Sequence, residues 1–192
     1  MELHAKTVTD HDLQDKLGQP ISLAHGDFSN CVFKKCDLTD RDLTGASFID
    51  CVFDHCNLSN ARVDNVSFQN VRFTGCKLLG LAFTRLNSLL ISWTFEDCQI
   101  SFCNFSSLNL KDSKFMACEV KECDFMNSNL TGADFAKSDL VMTRFPGANL
   151  EKSNFVGAKN YYLDPLKTKL KGAKFSYPEV LALLEGFGVK VE

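Results

Sequence analysis

Large apolar residues recur at every fifth position of this chain, and this period is the feature that most restricts its fold. The repeat runs from Leu23 to Phe83 and again from Leu90 to Phe155, and only Leu, Phe, Val or Ile fills it. A helix repeats its apolar face every 3.6 residues and an ordinary strand every two. A period of five fits neither element, so the sequence predicts a stacked repeat architecture.

The chain also repeats at twenty residues. Segments 31–38, 51–58 and 71–78 read CVFKKCDL, CVFDHCNL and VRFTGCKL. Four fives per turn give a four-sided coil, and coils that pair through their backbones rise ~4.8 Å each. We therefore predict an all-β fold, a quadrilateral β-helix with its large side chains inside.

Positions twenty residues apart carry matching side chains, as expected if each coil lies on the previous one. Phe83 and Leu90 are seven residues apart instead of five, so two extra residues fall within 84–89. If they bulge at a corner, the columns continue without a domain boundary. Like side chains then keep every layer the same in cross-section, which allows dense packing. The main predicted column is Phe33, Phe53, Phe73, Phe95, Phe115, Phe135 and Phe155.

All nine cysteines lie two residues before a large apolar residue, in a position that otherwise holds small side chains. Because the CxxC spacing of zinc sites is missing, we interpret them as free thiols that pack as small apolar groups. Trp93 falls in the same position, which is too narrow for an indole. The sequence therefore predicts local irregularity over 84–94.

The chain divides into three parts by pattern. Residues 1–20 form an N-terminal segment or a partial first coil, with Val8 and Leu13 twenty residues before Phe28 and Phe33. Residues 21–157 form the repeat, with its phase slip at 84–89. Residues 158–192 form an imperfect last coil followed by a capping or dimerisation helix and strand.

The C-terminal segment has helix signals. Ser176 and Glu179 match a capping box, and Gly186 is a natural stop, so we predict a helix to about Glu185 and a strand over 187–192. The last coil needs a cover, because an open layer invites aggregation. The apolar set exceeds the need of one short cap, which favours a two-fold dimer; a monomer with a close-fitting cap is the alternative. The predicted dimer contacts are Leu181, Leu184, Phe187, Val189 and Val191.

Composition argues against several functions. The net charge of −3 gives no basic excess for direct nucleic-acid binding. The first twenty residues are too polar for a signal peptide, and no apolar run approaches the ~20 residues of a membrane span. The expected location is therefore the cytoplasm. The sequence contains no phosphate-binding glycine loop, metal motif or catalytic motif. We expect no cofactor, no bound metal and no enzymatic activity.

The repeat pattern is clearest in three five-residue segments, which are Cys36-Asp-Leu-Thr-Asp40, Ser128-Asn-Leu-Thr-Gly132 and Ala148-Asn-Leu-Glu-Lys152. This pattern resembles that of the pentapeptide-repeat family, and the resemblance implies a right-handed quadrilateral β-helix. The phase slip near Trp93, the uninterrupted second half and the ending from Asn160 resemble the topoisomerase-protection branch. That branch contains the Qnr quinolone-resistance, albicidin-resistance and microcin-immunity proteins.

The narrower resemblance implies a homodimer, joined by its C-termini, that mimics duplex DNA. Such a protein binds DNA gyrase or another type II topoisomerase and protects it from quinolone- or albicidin-type inhibitors. The candidate partner-binding residues are Arg85, Trp93, Asp124, Asp134 and Asp139.

Two features favour a different interpretation. The repeat over 21–157 carries sixteen acidic and thirteen basic residues, and no long loops project from it. Its Asp residues also stand just before the large residue, where they form turns readily. The alternative function is a rigid, non-enzymatic scaffold or regulatory module that binds another protein.

Overall fold

The computed structural model describes residues 1–14, 19–87 and 91–190, and its strands are short and paired in parallel. Most strands have three residues, with a large inward-facing residue between two outward-facing ones, as the alternation of a strand requires. In order, β1 to β15 span Glu2–His4, Thr7–Val8, Asp27–Ser29, Val32–Lys34, Ser47–Ile49, Val52–Asp54, Ser67–Gln69, Val71–Thr74, Lys77–Leu79, Trp93–Glu96, Gln99–Ser101, Lys114–Met116, Glu119–Lys121, Asn154–Phe155 and Lys174–Phe175. Short 3₁₀ helices span Asp10–Leu13, Phe83–Arg85 and Glu179–Phe187.

The strands lie on the sides of a four-sided tube, which we name by the columns through Phe28 (side A), Phe33 (side B), Leu38 (side C) and Leu43 (side D). Side A holds β1, β3, β5 and β7, and side B holds β2, β4, β6, β8, β10 and β12. Side C holds β9, β11 and β13, while single bridges such as the one between residues 42 and 62 connect the coils on side D. The chain is a right-handed quadrilateral β-helix, as predicted.

Aromatic columns fill the tube. Phe33 stacks on Phe53 with ring centroids 4.8 Å apart, and this stacking continues along side B to Phe155 and Phe175. Rings of neighbouring columns meet edge to face, as Phe115 and Phe125 do at 5.5 Å. Both geometries are favoured by the ring quadrupole. All seven phenylalanines of the predicted column are fully buried.

The phase slip is accommodated as predicted. Phe73 pairs with Phe95 and Leu78 with Ile100, so the register changes from twenty to twenty-two residues without a break in the columns. On side D, Phe83 stacks on Phe105 at 4.7 Å. Leu90 lies outside the described residues.

The backbone at Trp93 is more regular than the sequence predicts. It begins β10, pairs with Val71 and is 2% exposed. Its indole N–H donates to the Phe68 carbonyl at 2.9 Å. Most of the cysteines make the equivalent bond to the preceding coil, as Cys51 does to the Phe28 carbonyl. The indole therefore donates a hydrogen bond to the carbonyl position that accepts one from a cysteine thiol in other coils.

The first coil differs in register from the prediction. Leu3 pairs with Phe28 and Val8 with Phe33, which are twenty-five residues apart instead of twenty. The five additional residues fall between Leu13 and Leu23, both of which are buried. Side-chain pattern could not show this, because an apolar residue fits any of the four columns.

The C-terminal prediction is wrong in detail. The helix is a 3₁₀ helix that ends at Phe187, with left-handed Gly188 as its C-cap. The capping box does not form, because the Ser176 hydroxyl instead accepts a hydrogen bond from the Gly157 N–H at 2.9 Å. No strand follows over 188–190. Residues 191–192 lie outside the described residues.

Candidate protein-binding surfaces

The structure does not bring the five predicted partner-binding residues together. Arg85 and Asp124 lie on side D, Asp134 lies on side B and Asp139 on side C. Trp93 is enclosed by the core and contacts the ring of Phe83, with centroids 5.3 Å apart. Including Trp93 in a contact surface was therefore wrong, since the indole has almost no exposed area.

The aspartates that precede large residues hold the turns. Oδ1 of Asp124 accepts from the Met126 N–H, and Oδ1 of Asp134 accepts from the Ala136 N–H, each at 2.9 Å. Asp37 binds Thr39 in the same way, and the Thr39 hydroxyl lowers the pKa of the Asp37 carboxyl. These side chains replace a backbone acceptor at the corner. The turn-forming interpretation of the aspartates is thus confirmed at these positions.

Ion pairs between adjacent coils place basic side chains beside acidic ones on the surface. Arg85 Nη1 lies 3.3 Å from Asp64 Oδ1, and Lys159 Nζ lies 3.3 Å from Asp139 Oδ2. Arg144 pairs with Asp124 in the same manner. In each of these pairs, a cation of one coil partly neutralises a carboxylate of the adjacent coil.

The C-terminal 3₁₀ helix presents an apolar surface at the end of the tube. None of its side chains is fully buried. Leu181 and Leu184 are partly exposed, Phe187 is 56% exposed and Val189, just beyond the helix, is 48% exposed. Val191 lies outside the described residues. An apolar surface of this kind is characteristic of a protein–protein interface.

Sequence reasoning missed a second surface at the same end. Exposed lysines lie around the corner of sides A and B, at positions 169, 171 and 174 of the last coil and at position 152 of the coil before it. None of the four makes an ion pair with another described residue. The sequence shows these lysines around Leu170 and Phe175. The net charge of the whole chain does not reveal this local positive cluster.

The described residues contain no group of three or more His, Cys, Asp or Glu placed to bind a metal ion. All nine cysteines are free and buried. None of the helices in the described ranges has the length and apolarity to span a bilayer.

A four-sided parallel β-helix with one large apolar residue per side and one left-handed residue per corner defines a class of solenoid proteins. The pentapeptide repeat region family model matches residues 26–88 and 66–145, and the chain belongs to this family. No curated protein sequence matches the chain.

Solved structures match along most of the length. A trypsin-treated variant of QnrB1, a plasmid-mediated fluoroquinolone resistance protein, aligns with a TM-score of 0.70 at 19% identity, covering 100% of this chain and 98% of that one. HetL, a pentapeptide-repeat protein involved in heterocyst differentiation regulation in Nostoc sp. strain PCC 7120, aligns with a TM-score of 0.56 at 13% identity. That match covers 90% of this chain and 84% of HetL. At these identities the likeness extends to the fold alone.

Proposed function

We propose that this protein is a non-catalytic, rigid rod that binds DNA gyrase or another type II topoisomerase and protects it from an inhibitor. The observation that carries the proposal is the alignment with QnrB1, which runs from end to end of both chains with a TM-score of 0.70. A continuous packed core, from Val8 to Phe175 on side B, gives the rod the stiffness that such a contact needs. Since its partner would be cytoplasmic, we place its action there.

The charge pattern restricts how such a rod would bind. A DNA mimic would need carboxylates spaced like phosphates along one side, but Asp124, Asp134 and Asp139 lie on three different sides. Asp124 and Asp139 are also paired with cations. We therefore propose recognition through shape and mixed polar contacts, with electrostatic attraction to a basic DNA-binding surface as a minor contribution.

A supercoiling assay tests this function. Purified protein at micromolar concentration is added to gyrase with and without a quinolone or albicidin. We expect supercoiling to persist at inhibitor concentrations that otherwise abolish it. Unchanged activity under both conditions would reject the topoisomerase proposal.

A second candidate function is a scaffold or regulatory module with a different protein partner. The alternating ion pairs of the surface favour it, because they remove the main electrostatic argument for binding a DNA site. The supercoiling assay separates the two candidates: a scaffold with another partner predicts no effect on gyrase and no binding to it by calorimetry.

We further propose that the C-terminal helix joins two copies into a homodimer. Leu181, Leu184, Phe187 and Val189 supply the described part of that contact, and Val191 completes the proposed set. Light scattering of the double variant Leu184→Asp/Phe187→Asp should give the monomer mass, because a carboxylate in an apolar interface is strongly unfavourable. Tyr162→Asp is the control, since Tyr162 is 59% exposed outside the helix. A double variant that remains dimeric would contradict the assignment.

A further inference from the structure

The last coil ends in an open sheet edge on sides A and B. In the interior coils, the N–H of the large residue donates to the coil that follows, as Leu130 does to the Asn149 carbonyl and Leu150 to the Lys169 carbonyl. The residue two positions earlier offers its carbonyl to that next coil, as Ser128 does to the Asn149 N–H. Within the described residues no coil follows Phe175. The N–H groups of Leu170 and Phe175 and the carbonyls of Thr168 and Ala173 therefore have no backbone partner among the residues that the structure describes.

The apolar columns also end incompletely at this edge. Leu170 closes the side A column and Phe175 the side B column, and both are only partly buried while the equivalent Leu150 and Phe155 are fully buried. At the end of the C-terminal helix, Gly186 packs against Asp164 and Pro165, and Ala182 and Leu183 pack against the core. One further strand would complete both the backbone ladder and the columns.

The side chains that flank this edge are cationic. Lys169 and Lys171 stand on either side of Leu170, Lys174 precedes Phe175, and Lys152 lies against Gly172 at the corner between them. Elsewhere on the tube many outward charges have a partner in the next coil, as Asp124 has in Arg144. In a parallel ladder the side chains of the added strand would lie directly beside these lysines, as position 169 lies beside Asn149.

We propose that the open edge binds an extended acidic segment of a protein partner by adding it as a strand. The segment carries an acidic–apolar–acidic triplet: its apolar side chain continues the Leu170 or Phe175 column, and its carboxylates pair with the flanking lysines. Backbone hydrogen bonds provide affinity and the alternating side chains provide specificity, as in other cases of strand addition. This inference goes beyond the proposed function and does not depend on which enzyme the rod protects.

Two matched charge-reversal variants test the proposal. The probe is a fluorescein-labelled peptide with a central Glu-Val-Glu triplet, and its binding to the full chain is followed by fluorescence polarisation. Lys171→Glu/Lys174→Glu should weaken binding by more than about tenfold, because like charges then lie side by side. Lys111→Glu/Lys114→Glu places the same changes at the equivalent positions of an interior coil, where the edge is already paired. This control should bind as the unmodified chain does.

Two altered peptides separate strand addition from simple charge attraction. Replacing the first Glu by N-methylglutamate removes the backbone N–H that would donate to the Thr168 or Ala173 carbonyl, and a Lys-Val-Lys peptide reverses the charge; neither should bind. Equal binding of the N-methylated peptide, equal loss in both protein variants, or no binding of the Glu-Val-Glu peptide would overturn the proposal. So would head-to-tail growth of the unmodified protein beyond the proposed dimer in light scattering, because the first coil of a further copy would then occupy the edge.

Discussion

At the scale of single residues, the interior is built from a few side-chain roles that repeat in every coil. A large residue fills the lumen and a small one lines the corner beside it. A residue two positions after the large one takes left-handed backbone angles, as Asn30 does at φ 54° and Asp40 at φ 55°. Asn and Asp tolerate that conformation better than most residues. Residues of other types, such as Lys35 and Met142, adopt the same conformation at other corners.

Trp93 is the interior residue whose loss should matter most. Its indole fills space between Phe68, Phe83 and Phe95 and donates a hydrogen bond to a buried carbonyl. Trp93→Ala leaves a large cavity and an unpaired acceptor, so we expect unfolding to become easier by about 3–5 kcal/mol. Urea denaturation followed by circular dichroism measures this. Tyr162→Ala, at a side chain that is 59% exposed, should change stability little; equal losses would contradict a core role for Trp93.

The cysteines should be unreactive until the tube opens. Burial raises the pKa of the Cys51 thiol to about 11, so this group stays protonated at neutral pH. With all nine thiols buried, a thiol reagent should label the native protein slowly and all nine sites after denaturation. Rapid labelling of the folded protein would contradict this expectation.

The raised thiol pKa also fixes the direction of one pH effect. Because folding favours the neutral form of Cys51, its contribution to stability is present below pH 9 and is lost as the pH rises toward about 11. Thermal denaturation across that range should show a smaller decline in Cys51→Ala than in the unmodified chain.

At the scale of elements, corners in successive coils must be compatible with one another. Gly75 has φ +59°, and a Cβ added there would lie 2.8 Å from Nε2 of His55 in the preceding coil. Gly188 has φ +71°, but nothing lies within 4 Å of its missing Cβ. The two glycines thus separate the cost of backbone conformation from the cost of crowding.

We expect Gly188→Ala to lower stability by about 1 kcal/mol and Gly75→Ala by about 2 kcal/mol, since only the second adds a steric clash. Chemical denaturation gives both values. In a His55→Ala background the cost of Gly75→Ala should fall to that of Gly188→Ala. If the His55 substitution makes no difference, crowding at the corner is not the cause.

The elements also show how far the sequence could predict the structure. The columns and the phase slip followed from spacing alone, because only one register places Phe95 after Phe73 and Ile100 after Leu78. The C-terminal cap did not follow, since the hydroxyl of Ser176 bonds to Gly157, nineteen residues earlier. The lysine-flanked edge was missed for a related reason. Its backbone groups are unpaired because the stack of coils ends there, and the sequence pattern does not show which coil is the last.

At the scale of the whole molecule, the coils behave as interchangeable layers. Deleting residues 111–130 removes twenty residues and would place Phe135 directly on Phe95, which preserves every column. We expect this variant to fold, with an unchanged circular dichroism spectrum and a melting temperature within about 10 °C, as for other repeat arrays that lose one unit.

Deleting residues 111–132 is the matched control for the loss of a coil. It removes twenty-two residues, so Leu110 and Phe135 become three residues apart instead of five. The natural slip shows that two extra residues can be accommodated, but two missing residues leave nothing to close the corner. This variant should misfold or aggregate; a stable soluble product would contradict the layered description.

The twenty-residue register has a kinetic consequence. Because a residue mainly meets partners one coil away in sequence, no long-range loop must close before the first contacts form. A pair of adjacent coils can act as a nucleus, and each later coil then adds onto a finished template. Synthesis on the ribosome would supply those coils in order. The first coils of the tube can therefore fold while the C-terminal coils are still being translated.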